Sequence, residues 1–519
     1  MTLKEKILQT FIVTVREINK HGGPEKFFLE YPVGGMYFWE DESLEGKTEI
    51  GTSTTDARLE ECRKYSKTPL LVCGDYTYVK GQKLQINSRP LGSSLNLEDA
   101  YNLGKVFGMQ MNSHGVDWIL GPCIDMLYDR SMPLFAISDD PKRTVDIFTE
   151  VIKGIQDQGV LATIKHFPGL GTNSINMHFG HGRNVLNFDE WDKTYGYTYR
   201  ELFKAGTQCV MTTHATLRSY ANDDENGFVP IATYSSKLTT ELLKNKMNFK
   251  GAVVTDALIM GGMATGNLID ETVQAFKAGA DLLLWPPVEA ADKIEELILQ
   301  GEIPMSRLED ALARIGKMRS FREKAIKENK MLKPDRDYAD SESLEIMKHG
   351  ICLYKNNVNM IPFNKNIIKK ILIVDGADTG EWGKESAKML RDALKKEGFD
   401  ADVRRDIYDV PSRVCWQDDI DELEREYDIT IFNLNMTYAT SWDVSYMMIW
   451  ASQLFNKKNK VIINYGAPFF AEDYFEKENT IIEMNCTPST EIVKVLVDKL
   501  MGRDEFTGNP VLTSHTKKI

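Results

Sequence analysis

Carboxylates, imidazoles and one lysine stand in this chain at the ends of short apolar runs. Pro69–Gly74 ends at Asp75, and Trp118–Ile124 ends at Asp125. Val160–Ile164 ends at Lys165-His166, Gln208–Thr213 at His214, Ala252–Val254 at Thr255-Asp256, and Asp281–Leu284 at Trp285-Pro286-Pro287. After Lys165-His166 the chain turns at Phe167-Pro168-Gly169 and enters a loop rich in Gly, Asn and Ser that carries His178 and His181. A carboxylate at a rigid strand end can serve as nucleophile or base. An imidazole, with an ordinary pKa of about 6.5, can give or take a proton near neutrality. Any one such residue is ordinarily a cap or a loop residue; six runs that end this way argue for one pocket. The pattern is that of an enzyme with carboxylates and imidazoles but no metal cage, and no cofactor is expected.

The tips recur every roughly 30 to 50 residues, and helical patterns fill the intervals, which is the repeat of β/α units. The expected fold is α/β: an N-terminal TIM-like (β/α)8 barrel over residues 1–333, whose parallel strands deliver all their tips to one face. Glu98 and Asp99 in a first turn, Pro141 at a first helical position and Gly279 past a last turn mark helix ends. The opening 23 residues, with an apolar patch at Phe11–Val15 between Glu5 and Arg16-Glu17, read as one amphipathic helix; the patch is too short for a signal sequence or a membrane span. Lys333–Ser341 is charged, contains a proline and has no apolar period, so a linker is placed at 334–345. Residues 346–519 are expected to form a C-terminal αβα sandwich domain, with strands at Ile371–Gly376, Ile429–Asn433 and Lys460–Gly466 and helices over Lys384–Glu397 and Ser441–Phe455.

Composition narrows the partners. A net charge of −13 argues against nucleic acid, and 42% hydrophobic with 27% charged residues is the balance of a soluble globular protein rather than a membrane one. Seven scattered cysteines without metal-ligand spacing suggest reduced, mostly buried thiols and a cytoplasmic location. The oligomeric state is left open.

Lys165-His166-Phe167-Pro168-Gly169 with Gly171 and His178, followed downstream by Gly251–Met260, resembles family 3 of the glycoside hydrolases, in particular its β-N-acetylglucosaminidase branch. Gly34–Phe38, Val210–His214, Cys352–Asn357 with Ile361–Phe363, and Leu500–Arg503 through Gly508–Val511 extend the resemblance over nearly the whole chain. The resemblance implies a small carbohydrate substrate. It implies Asp256 as nucleophile and His178 as general acid/base, with Asp75, Lys165 and His166 binding the sugar and His214 and Met260 near the pocket. The chemistry is that of a retaining glycosidase, with a carboxylate on one face of the anomeric carbon and a proton donor beside the leaving oxygen.

The chain also departs from the family pattern. Leu170 stands where the family has a histidine, and Asn176 where it has an aspartate that orients the acid/base histidine. Met132–Pro141 lacks the family's sugar-binding arginine, for which Arg130 is the candidate substitute, and Tyr76-Thr77-Tyr78 replaces its Gln-Glu-Gly-Gly. Three readings follow: an exo-acting β-N-acetylhexosaminidase on cell-wall or chitin-type fragments; a β-glucosidase-like or phosphorolytic enzyme on another sugar; or a catalytically weak sugar-binding homologue. If His178 is not the acid/base, His181 or a second-domain glutamate, Glu381 or Glu385, takes its place.

Overall fold

The computed structural model describes residues 1–38, 53–75, 84, 86–128, 135–173, 175–221, 229–328, 330, 335–377, 385–405, 417–435, 451–469 and 474–513. Their contacts gather into two compact units. The first comprises Met1–Gly81, Leu97–Met132 and Pro141–Arg336, and the second Gln82–Asn96, Pro133–Asp140 and Asp337–Ile519.

The first unit is a parallel barrel. Its strands are β1 (Phe11–Thr14), β2 (Gly35–Tyr37), β3 (Leu71–Gly74), β4 (Trp118–Ile119), β5 (Leu161–Phe167), β7 (Cys209–Thr212), β9 (Ala252–Thr255) and β10 (Leu283–Leu284); β6 (Gly182–Asn184) and β8 (Ala215–Leu217) pair with each other outside it. Every neighbouring pair is parallel, β10 lies beside β1, and a Val254–Leu282 bridge closes β9 onto β10. Such strands are buried on both faces, so they are short and continuously apolar. Their side chains, among them Ile12, Leu71, Trp118, Leu161, Met211 and Val254, fill the interior as one core.

The opening segment differs from its expectation. In place of one amphipathic helix there are a helix at Leu3–Leu8, strand β1 and a second helix at Val15–Lys20. Ile12, Val13 and Thr14 are β-branched and favour the strand. Thr14 then caps the second helix through the Glu17 amide. Phe11 pairs with Leu283 and Ile12 with Gly35, so this segment is what joins the first and last strands of the barrel.

At the N-terminal ends of the strands, acidic residues are committed to structure. Asp281 accepts from Lys244 at 2.6 Å and from Arg307 at 2.5 Å, and Asp117 accepts from Arg322 at 2.9 Å and from the Val72 amide. The polar tips at the opposite ends are the candidates for chemistry.

The second unit carries a mixed six-stranded sheet: β11 (Cys352–Asn356), β12 (Lys370–Ala377), β13 (Asp400–Arg404), β14 (Ile429–Asn435), β15 (Lys460–Asn464) and β16 (Thr480–Glu483), in the order β11-β16-β15-β14-β12-β13. Only β11 runs antiparallel. Helices at Ser386–Lys396 and Thr490–Leu500 pack in this unit; most of the helix expected over Ser441–Phe455 lies outside the described residues. Arg336–His349 is helical, so the chain is regular across much of the expected linker. Two segments from far upstream complete the unit. Buried Arg89 donates to the carbonyls of Tyr465 and Gly466, and Asp139 accepts from the Thr513 amide at 2.8 Å. No helix among the described residues is long and apolar enough to cross a membrane.

Candidate active site

Strand β5 loses its regular register against β7 between Ile164 and Phe167, and Lys165 and His166 fall within that irregular step. Bulges of this kind re-aim side chains at a barrel rim. Lys165, 4% exposed, donates to Asp75 just past β3 at 2.7 Å. Burial pushes its ammonium pKa down, but the Asp75 charge and hydrogen bond push it up, and the balance lies above the ordinary lysine value. His166 Nδ1 donates to Asp125 Oδ2 at 2.7 Å. The fully buried Asp125 side chain also accepts from the amides of His166 and Leu170 and from the Cys123 thiol. With Nδ1 held there, the Nε2 atom of His166 is the one left to meet a ligand. Cys123, Asp125 and His166 have the donor types of a metal site. Their polar atoms are committed to one another, however, and burial pushes the Cys123 thiol well up, so it is not a thiolate ligand.

Asp256 follows β9. Its amide donates to Thr212 O, its Oδ1 accepts from the Ala257 amide at 2.8 Å, and its Oδ2 accepts from the Thr213 hydroxyl at 3.1 Å. Burial pushes its carboxyl up; the His166 imidazole, the Ala257 amide and the Lys165 ammonium push it down, and the balance lies below the ordinary aspartate value. Asp256 is therefore a carboxylate at neutral pH.

The loop after β5 is shaped by two glycines in the left-handed region. A Cβ on Gly171 would stand 1.9 Å from Met126 O, and one on Gly169 2.1 Å from the Tyr195 ring. This turn brings the Leu170 amide onto Asp125 and sends the Leu170 side chain into the barrel core, so the change at this position is a packing change. Further along, Asn176 Oδ1 accepts from both the backbone amide and Nδ1 of His178, at 3.0 and 2.8 Å. Two donors converging on one atom identify it as the amide oxygen. His178 is exposed with Nε2 open. The amides of Gly261 and Gly262, in the turn that follows Asp256, donate to the carbonyls of His178 and Met177 at 3.1 and 3.0 Å. The histidine loop and the Asp256 turn are thereby fastened to each other.

Asp75, Lys165, His166, Asp256, Asn176 and His178 thus lie along one rim of strand ends and loops. His214 and Met260 are placed differently. His214 is completely buried, accepts at Nδ1 from Thr233 and donates from Nε2 to Ala257 O, and burial holds its pKa below the ordinary value. It is a neutral support beneath Asp256 with no atom left for a ligand. Met260 is 8% exposed and packs in the core. Arg130, Tyr76–Tyr78 and Glu381 lie outside the described residues. Glu385 belongs to the second unit, where it pairs with Lys388 at 3.0 Å. Two residues gain a role that sequence reading did not assign: Asp125, which holds His166, and Thr213, which holds Asp256.

Residues 2–318 match the family model described as the glycosyl hydrolase family 3 N terminal domain. A beta-N-acetylglucosaminidase/beta-glucosidase of Cellulomonas fimi is 25% identical over 360 residues, which cover 64% of this chain and 63% of that protein. Beta-hexosaminidase A of Pseudoalteromonas piscicida is 24% identical over 323 residues, covering 56% of this chain and 54% of that protein. The chain therefore spans less than two thirds of the length of these two relatives. Among solved structures, a glycoside hydrolase family 3 beta-N-acetylglucosaminidase from Paenibacillus sp. str. FPU-7 matches with a TM-score of 0.80 at 20% identity, covering 99% of both chains. The beta-glucoside phosphorylase BglX matches with a TM-score of 0.80 at 21% identity, covering 99% of this chain and 94% of that one. At such identities the structural likeness speaks for the fold alone.

Proposed function

The chain belongs to glycosyl hydrolase family 3, and from that premise we propose that it is an exo-acting retaining glycosidase. It removes terminal β-N-acetylhexosaminyl groups, from cell-wall or chitin-type fragments, through a glycosyl-Asp256 intermediate. The observation that carries this reading is the link between Asp256 and His178. An ionised carboxylate ends a strand, and an imidazole with a free Nε2 stands on a loop hydrogen-bonded to the next turn.

In the first step an Asp256 oxygen attacks the anomeric carbon, and Nε2 of the His178 imidazolium gives its proton to the departing oxygen. In the second, Nε2 takes a proton from water as the water displaces Asp256 from the same carbon, so two inversions give net retention. Asp75 and Lys165 hold each other in place as hydroxyl partners, and Asp125 keeps His166 Nε2 turned to the ring. Asn176 fixes the His178 tautomer. The seven scattered cysteines support a cytoplasmic location.

The test is hydrolysis of nitrophenyl β-N-acetylglucosaminide, with Asp256→Asn reducing kcat by about 10⁴-fold or more. A second reading, phosphate in place of water as acceptor, draws on the neutral Asn176 beside His178, which would not repel an anion, and on the phosphorylase among the similar folds. Sugar 1-phosphate formed only when phosphate is added would select it. No turnover on a panel of nitrophenyl β-glycosides would leave a sugar-binding homologue.

A further inference from the structure

Away from the Asp256 rim, the barrel has a cavity of about 510 Å³ lined in part by Lys244, Asn245, Ser306, Arg307, Asp310 and Arg314. Lys244, 4% exposed, donates to Asp281 at 2.6 Å and to Asp310 at 3.0 Å. Arg307 spans the same two carboxylates at 2.5 and 3.0 Å, and Arg314 donates from Nε to Asp310 at 2.9 Å. Three cations thus share two carboxylates. Lys277, also on the wall, is matched by Glu302 at 3.6 Å and adds no net charge. The cluster therefore holds one positive charge in excess, and a buried charge without a counter-ion is costly.

The excess leaves its mark on Lys244. Burial lowers its ammonium pKa, Asp281 raises it, and the Arg307 and Arg314 charges lower it again, so the balance lies below the ordinary lysine value. Lys165 is also 4% exposed, but it has Asp75 as its partner and lies above that value.

Donors are left over as well. An ammonium has three N–H bonds, of which Lys244 uses two. Arg314 Nη2 has no hydrogen-bond partner among the described residues, and neither has the buried Nε of Arg307. The helix Met305–Lys327 begins on the same wall, at Pro304, with no side-chain cap and no acidic residue in its first turn. Its leading amides are unclaimed by any cap.

A helix N-terminus carries about half a positive charge, which with the excess cation makes roughly +1.5. A phosphoryl group carries about −1.5 to −2 at neutral pH and offers three oxygens that accept from several directions. We propose that the cavity binds a phosphoryl group, as free phosphate or as a phosphate monoester, between Lys244, Arg314 and the first turn of the helix at Met305. Small-molecule pockets span about 300 to 1,000 Å³, so this one also has room for the carbon skeleton of a monoester, with Asn245 and Ser306 as polar partners. Asp281 precedes its strand and Asp256 follows its own, so this ligand and the sugar occupy opposite faces of the barrel.

The experiment is calorimetric titration of the full chain at neutral pH and constant ionic strength with inorganic phosphate, glucose 6-phosphate and glucose. At least one of the two phosphates should bind saturably, and glucose should not. Arg314→Gln should weaken that binding about tenfold, as for loss of a charge-assisted hydrogen bond. Ser306 is exposed and stands in a first helical turn, where a carboxylate is tolerated. Ser306→Asp should therefore keep the fold, supply from within the charge that the ligand brings, and abolish the rise in thermal midpoint that phosphate gives the parent. Tighter binding of glucose 6-phosphate than of phosphate selects a monoester, the reverse selects the free ion, and both support the site. No saturable binding of either phosphate, or an affinity unchanged in both variants, overturns the inference. Binding lost in His178→Ala also overturns it, since the phosphate would then lie at the candidate active site.

Discussion

Asn176 orients His178 with a carbonyl oxygen, where an aspartate would supply orientation and charge together. Asn176→Asp places a negative charge about 2.8 Å from Nδ1 and favours the imidazolium over the neutral ring. The limb of the kcat/KM profile that falls as the acid loses its proton should therefore move to higher pH, by about one unit. A profile in which that limb stays put would assign the proton to another group. At this scale legibility follows what a residue acts on. Lys165, His166 and Asp256 could be read because each ends a continuous apolar run. Asp125 could be read as a tip but not as the holder of His166, and Thr213 was hidden inside its own run. Both act on side chains that only the closed barrel brings near. His214 looks like His166 in sequence; what separates them is Thr233 and Ala257 O, which occupy both nitrogens of His214.

At the scale of elements, most strands and helices of the barrel were legible from apolar runs and their caps, since burial on both faces leaves a strand little choice of composition. Strand β1 was not, because four residues between two short helical patterns have no period of their own. The turn after β9 is the element on which the two groups proposed to react, Asp256 and His178, depend. A Cβ at Gly261 would stand 2.7 Å from His178 O, so Gly261→Ala should displace the histidine loop and lower kcat by about 10- to 100-fold. The thermal midpoint should hardly change, and a kcat equal to that of the parent would show that the link is dispensable. In the second unit β16 ends at Glu483, which accepts from Asn464 Nδ2 and whose Oε1 has no partner among the described residues. Burial pushes its carboxyl well above the ordinary range. The folded protein then keeps a proton that the unfolded chain releases above about pH 4.5. Its stability is full below that pH and declines as pH rises toward the folded value. Glu483→Gln should raise the melting temperature at pH 7 and leave it unchanged at pH 4; equal shifts at both would contradict this account.

At the scale of the molecule, sequence reading divided the chain in a line, and nothing in residues 82–96 or 133–140 signalled that they pack with the C-terminal unit. Their partners lie hundreds of residues away, where no local pattern reaches. A fragment of residues 337–519 therefore lacks the Arg89 guanidinium under Tyr465 and Gly466 and the Asp139 carboxylate at Thr513. It should show no cooperative thermal transition by near-ultraviolet circular dichroism, and a sharp transition would refute the dependence. The same interleaving bears on how the chain is made. Arg89 leaves the ribosome 376 residues ahead of Tyr465, an interval of about 20 to 75 s at ordinary elongation rates. Through that time Leu91 and Ile137, both finally buried, wait without the sheet that the later residues build. The nascent protein therefore carries two sticky, unfinished segments until Tyr465 and its neighbours have emerged, and its yield in the cell should track the supply of chaperones that shelter emerging chains.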